Sequence, residues 1–237
     1  IVDYNKIIKN VNFKKQKELL SLWSQSWENN GFSTKVLSRQ DAERSSLYND
    51  YYNFVQSVHT QVSGKELPEN GYWLAAQLEI VAFTTIDSAS YISDYDIINR
   101  SFNDTHEVSS MLHWRDNCCS CFASGDSKSW VDYVIFLMEH EDIIIEWCSQ
   151  ERDKTSRTEF GDQDFLIAIQ EVGLRKNIFR MSRELGMCQK YFPNAKVKHK
   201  TYHISHSNMY EITSKYPKYE GYNQDELRII MGKEICS

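Results

Sequence analysis

Residues 71–96 read GYWLAAQLEIVAFTTIDSASYISDYD, and this stretch decides how the rest of the chain is interpreted. Its first half is mostly apolar, which predicts a helix that is buried on most of its sides. A short loop follows, and residues 90–93 predict a strand that leads into Asp94-Tyr95-Asp96. Side chains two positions apart in an extended segment point to the same side, so the two aspartates are expected to lie together.

This pair of aspartates predicts a site for a hard divalent cation. Two neighbouring carboxylates repel each other unless a cation lies between or beside them. Oxygen ligands suit Mg²⁺ or Mn²⁺, and these ions usually share their coordination sphere with substrate phosphates. A D-x-D pattern also arises by chance in solvated turns, so that alternative stays open on the residues alone.

The composition is that of a globular protein and argues against two classes of partner. Of the 237 residues, 41% are apolar and 25% are charged, which is typical of folded domains. The net charge of −6 argues against nucleic acid as the main partner. No apolar stretch of 18 residues occurs, so no membrane-spanning helix is expected within this sequence.

The cysteines favour a reducing compartment. Three of the six, Cys118, Cys119 and Cys121, crowd together without the spacing of a zinc site. Free thiols are the simpler interpretation, and a cytoplasmic location is therefore favoured. Two glycosylation sequons begin at Asn99 and Asn103, where a glycan would obstruct a site at the aspartates. A lumenal location stays open.

The rest of the chain alternates predicted helices with short predicted strands. Apolar residues at helical spacing, capping residues and glycine stops predict helices over 13–29, from 38 onward, and over 47–58, 126–140, 162–172, 174–185 and 225–235. Strands are predicted at 1–4, 35–37 and 197–206, and residues 97–125 are expected to form an irregular excursion over the surface. No repeat or linker interrupts the pattern, so a single α/β domain is predicted over residues 1–237, with ligand groups at strand ends.

Several segments, in this order, resemble glycosyltransferases of the GT-A fold. AQLEIV at 76–81 matches a helix of the form A-R-Y-E-I-L, and YISDYD at 91–96 matches the strand that ends in D-x-D. Residues 22–42 resemble the opening of these enzymes, in which a helix leads into a strand. GDQDF at 161–165 and YHISH at 202–206 stand where the family keeps an acidic helix start and a late histidine.

The resemblance covers about residues 13–206 and implies both a fold and an activity. The implied fold is a single GT-A-like, Rossmann-like domain with a mixed, mostly parallel central sheet flanked by helices. The implied activity is metal-dependent transfer of a hexose or pentose from a nucleotide-diphosphate donor, preferably a UDP-sugar, to a glycan or other hydroxyl acceptor. Mn²⁺ or Mg²⁺ is the implied cofactor.

The family pattern also implies roles at the donor site. Asp96 would bind the metal, and Asp94 would contact the metal or the donor ribose. Tyr95 offers a ring that can stack on a sugar or a base. Gln77 stands where the family commonly has an arginine associated with donor or structural contacts, and residues 85–90 lack the family's Gly-Gly. These departures leave the donor nucleotide open.

Two histidines and two further aspartates complete the candidate residues. His203 and His206 are candidates for a further metal ligand, and their spacing in a strand puts them on opposite faces, so one of them is expected to face the metal. A histidine satisfied by hydrogen bonds is the alternative for each. Asp162 and Asp164 begin a predicted helix, where carboxylates stabilise the N-terminus. One of them, preferably Asp164, is also the candidate for the acidic group near the acceptor hydroxyl.

Two other functions remain compatible with these residues. A non-catalytic domain on the same scaffold would bind carbohydrate or nucleotide without turnover. A metal-dependent phosphohydrolase would use the same carboxylates and release phosphate without a sugar acceptor.

Overall fold

A computed structural model describes residues 13–69, 71–102, 112–114, 122–171, 179–181, 201–204, 217 and 220–236. These residues form a mixed α/β structure in which helices predominate. The helices are α1 (Phe13–Glu28), α2 (Arg39–Glu43), α3 (Tyr48–Ser63), α4 (Tyr72–Phe83), α5 (Ser127–Glu139), α6 (Glu141–Thr155), α7 (Asp162–Glu171) and α8 (Gln224–Cys236). The strands are β1 (Ser90–Ser93), β2 (Ile97–Asn99), β3 (Leu112–Trp114), β4 (Phe122–Gly125), β5 (Phe179–Met181) and β6 (Thr201–His203).

The described chain divides into two compact units that are interleaved in sequence. Unit 1 takes the described residues between 36 and 92 and between 112 and 181. Unit 2 takes those between 13 and 35, between 93 and 102, and from 201 onward. The prediction of one domain over residues 1–237 stays a prediction. Among the helices of the described residues, none has the length and apolar character needed to cross a membrane.

Unit 1 is built around α4, the helix of the opening stretch. Nine of its twelve residues are buried, as its apolar composition predicted, and it packs against α2, α3, α5 and α7. The largest side chains of the surrounding core include Trp130, Tyr133 and Phe165, all fully buried. Burial of this much apolar and aromatic surface is the main stabilising term for the unit.

The helix boundaries follow local signals that the sequence displays. Helix α1 ends just before Gly31, which adopts a left-handed φ of 88° that glycine tolerates without strain. The main-chain N–H of Ser38 donates to Asp41 Oδ2 at 2.7 Å, which is half of the predicted capping box. Asp126 accepts from the Ser129 N–H at 2.7 Å and caps α5. These predictions are confirmed.

The sheet of unit 1 has the strand order β1-β4-β3-β5. Strand β3 pairs antiparallel with β4 and parallel with β5, so the sheet is mixed. The described pairings thus confirm an α/β structure but show no parallel majority.

Three local predictions were wrong. Residues 97–125 were expected on the surface, yet they contain β2, β3 and β4, and the residues of β2 and β4 are all buried. The helix predicted over 174–185 is interrupted by β5, because pairing with β3 overrides its helical spacing. Residues 35–37 form no strand, and Val36 is 44% exposed instead of packing in a sheet.

Unit 2 consists of α1, α8 and a two-stranded sheet. Strands β2 and β6 pair antiparallel, with Ile97 opposite His203 and Asn99 opposite Thr201. Helices α1 and α8 pack against each other and against β2. Gly232 of α8 permits this approach, because a Cβ there would lie 3.3 Å from Leu22 Cδ1 of α1. Within the predicted strand at 197–206, Thr201–His203 form a strand and Ile204 does not, and the helix predicted at 225–235 is confirmed.

Candidate functional site

The predicted Asp94-Tyr95-Asp96 segment forms a tight turn between β1 and β2. The Ile97 N–H donates to the Asp94 carbonyl at 3.0 Å, which closes a β-turn over residues 94–97. The expectation of an extended segment was therefore wrong, and strand alternation does not set the direction of the two side chains. Asp94 and Tyr95 are partly exposed, whereas Asp96 is 9% exposed.

Helix α1 holds the residues on both sides of this turn. Trp23 Nε1 donates to Ser93 Oγ at 2.9 Å on the β1 side, and Trp27 Nε1 donates to the Ile97 carbonyl at 3.1 Å on the β2 side. Ser26 Oγ accepts from the Asn99 N–H at 3.0 Å. Because the donors and acceptors lie on one rigid helix, the turn has a fixed position within unit 2. Helical spacing places the two tryptophans on a predicted helix but gives no sign of this role.

Strand β6 and helix α8 hold the turn from another side. The Ile204 N–H donates to the Asp96 carbonyl at 2.9 Å, and Arg228 Nη2 donates to Asp96 Oδ2 at 3.1 Å. The Arg228 guanidinium carbon also lies 5.3 Å from the centre of the Tyr95 ring, within the range of a cation–π contact. Arg228 is 3% exposed. Arg228 thus supplies part of the positive charge that two neighbouring aspartates need nearby.

Arg228 was missed by the sequence analysis, although a signal was present. It stands in the run Leu227-Arg228-Ile229-Ile230-Met231, where a charged residue interrupts an apolar stretch. Arginine is rarely buried unless it is paired with an acidic group. The run therefore indicated that a carboxylate elsewhere in the chain contacts this position.

Tyr95 remains a neutral phenol at ordinary pH. Its burial raises the pKa of the hydroxyl, and the nearby Arg228 charge only partly opposes this rise. A neutral hydroxyl can both donate and accept a hydrogen bond. Tyr95 thus offers a polar group and an aromatic face beside the aspartates.

The turn carries two carboxylates, and their role as cation ligands stays a prediction. Among the described residues, no three or more histidine, cysteine or acidic side chains are grouped so that they could hold a metal ion. Mg²⁺ and Mn²⁺ are commonly held by one or two carboxylates, with substrate phosphates and water as the other ligands. Asp94 and Asp96 provide that number. The side chain of His203 and the whole of His206 lie outside the described residues, so their predicted role as ligands stays a prediction.

A second pair of aspartates lies in unit 1, at the start of α7. Asp164 Oδ2 accepts from the Gly161 N–H and from Arg157 Nη2, each at 2.8 Å, and Oδ1 accepts from Arg157 Nη1 at 3.2 Å. These bonds tie Asp164 to the chain just before the helix, which is the structural role expected for at least one of the pair. Asp162 and Asp164 are both buried. Their catalytic role stays a prediction.

Phe160, directly before this helix start, is held by a buried histidine. His59 Nδ1 donates to the Val55 carbonyl at 2.9 Å. Nε2 lies 3.1 Å from both the N–H and the carbonyl of Phe160, and in the neutral ring it accepts from that N–H. Burial lowers the pKa of His59, and the backbone hydrogen bonds oppose this shift. The neutral imidazole therefore links α3 to the residues before α7 through its hydrogen bonds.

Gln77 joins the same network. Its Nε2 donates to the Phe160 carbonyl at 3.3 Å, and its Oε1 accepts from the Tyr51 hydroxyl at 3.0 Å. Burial, and then the negative charge of Asp162, raise the pKa of Tyr51 well above its ordinary value. The amide that replaces the family's arginine thus supports the segment before α7. Its predicted contact with the donor stays a prediction, and the roles of Tyr51, His59 and Arg157 were missed from the sequence.

Trp73 packs beside this helix start. A Cβ at Gly161 would lie 3.1 Å from two carbons of the Trp73 ring, so glycine allows close packing there. The Arg157 guanidinium carbon lies 6.0 Å from the same ring. The two aspartate pairs belong to different units, with Asp94 and Asp96 in unit 2 and Asp162 and Asp164 in unit 1.

Comparisons of the chain with protein families, with curated proteins and with solved structures found no match.

Proposed function

We propose that this protein is a metal-dependent glycosyltransferase with a GT-A-like domain that uses a nucleotide-diphosphate sugar, preferably a UDP-sugar. The Asp94–Ile97 turn carries the proposal, because it places two carboxylates and a neutral tyrosine on a turn that α1 and α8 hold in position. The turn follows a buried helix and a strand. This order agrees with the resemblance to glycosyltransferases, in which a helix like AQLEIV precedes the strand that ends in D-x-D. A glycan or another hydroxyl compound is the proposed acceptor.

The chain's own residues would bind and orient the donor at this turn. Asp94 and Asp96 would hold Mn²⁺ or Mg²⁺ together with the diphosphate, and the Tyr95 ring would stack on the donor. When bound, the cation supplies positive charge against the leaving diphosphate. Buried Arg228 adds a fixed positive charge beside Asp96 and keeps the turn in one conformation.

Asp162 and Asp164 stay the predicted candidates for the acidic group near the acceptor hydroxyl. Asp164 is engaged by Arg157 and by the Gly161 N–H, which supports a role in fixing the helix start. Asp162, two residues earlier and also buried, shares that fixed backbone. In a glycosyltransferase, an acidic group near the acceptor would orient its hydroxyl or accept its proton.

The proposal is tested by thermal unfolding of the full chain with nucleotide sugars, each with and without Mn²⁺. A UDP-sugar and Mn²⁺ together are expected to raise the unfolding temperature more than either does alone, because both bind the folded state at one site. Asp94→Asn should remove this joint effect, since it replaces one proposed ligand at a partly exposed position. Asp132→Asn, a surface exchange of the same kind on α5, serves as the matched control and should behave like the wild type.

Two outcomes would favour the alternatives. A sugar or nucleotide that binds equally well without Mn²⁺ and to Asp94→Asn would favour a non-catalytic binding domain, in which the Arg228 charge replaces the metal. Release of phosphate from a sugar phosphate without any acceptor would favour a phosphohydrolase.

A further inference from the structure

Arg228 does more than neutralise one carboxylate, because it also hydrogen-bonds to the main chain. Its Nε donates to the Ile204 carbonyl at 3.0 Å while its Nη2 donates to Asp96 Oδ2 at 3.1 Å. The Ile204 N–H in turn donates to the Asp96 carbonyl at 2.9 Å. These three residues form a closed ring of hydrogen bonds that fixes both the main chain and the carboxylate of Asp96.

The remaining contacts of Arg228 fix the guanidinium itself. Nη1 lies 3.6 Å from Asp225 Oδ1, one helical turn earlier on α8. The guanidinium carbon lies 5.3 Å from the centre of the Tyr95 ring. The planar fork of arginine can satisfy several partners at set angles, whereas a lysine at this place would supply only a point charge. The direction of the Asp96 carboxylate therefore depends on Arg228 in particular.

A metal-binding carboxylate commonly needs such a supporting partner. Residues that hydrogen-bond to metal ligands fix the direction of the ligand atoms, and their replacement typically weakens metal binding by about 10–100-fold. We propose that Arg228 is a positioning residue of this kind: by holding Oδ2, it directs the Asp96 carboxylate for a divalent cation shared with a diphosphate. This inference rests on the proposed function, and it makes helix α8 a part of the cation site.

The opposite effect on Mn²⁺ affinity is also physically possible, so the direction of the change is what the test must measure. A positive charge beside a cation site repels the cation, so a merely competing arginine would weaken metal binding, and its loss would strengthen it. Positioning predicts the reverse. The direction of the change in Mn²⁺ affinity upon replacement of Arg228 therefore separates the two roles.

The experiment is a titration of the purified full chain with Mn²⁺ in the presence of UDP, followed by the electron paramagnetic resonance signal of free Mn²⁺. Arg228→Gln is expected to bind Mn²⁺ about 10–100-fold more weakly than the wild type. Arg228→Lys, which keeps the charge but loses the fork, should fall between the two. Lys233→Gln removes a cation from an exposed ion pair on the same helix and should bind like the wild type. Circular dichroism establishes that each variant is folded.

The outcomes separate this inference from the proposed function. A folded Arg228→Gln variant that binds Mn²⁺ as tightly as the wild type, or more tightly, overturns the positioning role while leaving the glycosyltransferase proposal in place. Should Arg228→Gln fail to fold, Arg228→Lys decides, and wild-type affinity in that variant also overturns the role. A wild-type protein that binds no Mn²⁺ with UDP overturns both.

Discussion

Two segments of this chain carry two aspartates separated by one residue, and the structure uses them differently. In unit 2, Asp96 lies in a turn and pairs with a buried guanidinium that is 132 positions away in the sequence. In unit 1, Asp164 begins a helix and bonds to the main-chain N–H three residues before it and to Arg157 seven residues before it. The first arrangement depends on distant parts of the chain, and the second is almost entirely local.

This difference determines how each carboxylate responds to change. The partner of Asp96 is 3% exposed, so its charge cannot be solvated if the carboxylate is removed. The partner of Asp164 is 40% exposed, so water can replace much of the lost interaction. Removal of the aspartate is therefore expected to cost much stability in unit 2 and less in unit 1, where the carboxylate caps a helix.

The largest expected effect is that of Asp96→Asn on stability. The free energy of unfolding should fall by about 3–5 kcal/mol, because the exchange leaves the buried Arg228 charge with only the longer ion pair to Asp225, at 3.6 Å. Asp164→Asn should cost only about 0.5–2 kcal/mol, the usual range for loss of a helix cap. Urea denaturation followed by circular dichroism measures both. Equal losses in the two variants would contradict the contrast between the pairs.

A double variant sharpens the same contrast. Asp96→Asn combined with Arg228→Met removes both charges, so much of the stability lost in Asp96→Asn alone should return. No such recovery is expected when Asp164→Asn is combined with Arg157→Met, because that arginine already contacts water.

The next effect is a dependence of the stability of unit 1 on pH, which arises from His59. The folded protein holds this imidazole neutral with a lowered pKa, whereas the unfolded chain protonates it near pH 6.5. Below about pH 6.5 the unfolded state binds more protons, so stability should fall with decreasing pH by up to about 1.4 kcal/mol per pH unit, until the folded pKa is reached. Urea midpoints between pH 5 and pH 8 measure this slope.

His59→Phe should remove this part of the slope. It should also cost about 1–3 kcal/mol at pH 8, because the Phe160 N–H loses its acceptor. An unchanged slope in His59→Phe would assign the pH dependence to other groups.

The smallest expected effect compares two glycines. Gly161→Ala should lower the free energy of unfolding by about 1 kcal/mol, because the new methyl group would press on the flat Trp73 ring. A Cβ at Gly232 would approach the end of the flexible Leu22 side chain at 3.3 Å and would meet Ile204 and Ile98 at ordinary contact distances. Since alanine is favoured inside a helix by about 0.5–1 kcal/mol, Gly232→Ala should be as stable as the wild type or more stable. Thermal unfolding of the two variants measures the difference. A less stable Gly232→Ala variant would show that the α1–α8 contact cannot adjust.

Local signals made much of the helical structure predictable from the sequence. The buried character of α4, the stop at Gly31 and the cap at Asp126 each depend on residues within one or two turns. Strands β2, β3, β4 and β5 were missed because each has only three or four residues and is defined by its partner. Local patterns of apolar residues carry no information about that partner.

The candidate sites show the same limit. The two aspartate pairs could be predicted because the members of each pair are only two positions apart in the sequence. The contact between Asp96 and Arg228, and the one between His59 and Phe160, join residues more than 100 positions apart, and only the folded chain brings them together. The buried arginine in α8 was the one clue that such a distant contact exists.

The distance between Asp96 and Arg228 along the chain also sets an order of events on the ribosome. Translation proceeds at about 5–20 residues per second, so roughly 7–26 s separate the synthesis of these two residues. The tryptophans of α1 are made before the turn and can contact it early. The Asp96 carboxylate, by contrast, stays hydrated until α8 emerges, and the turn acquires its internal cation only after Arg228 has been made.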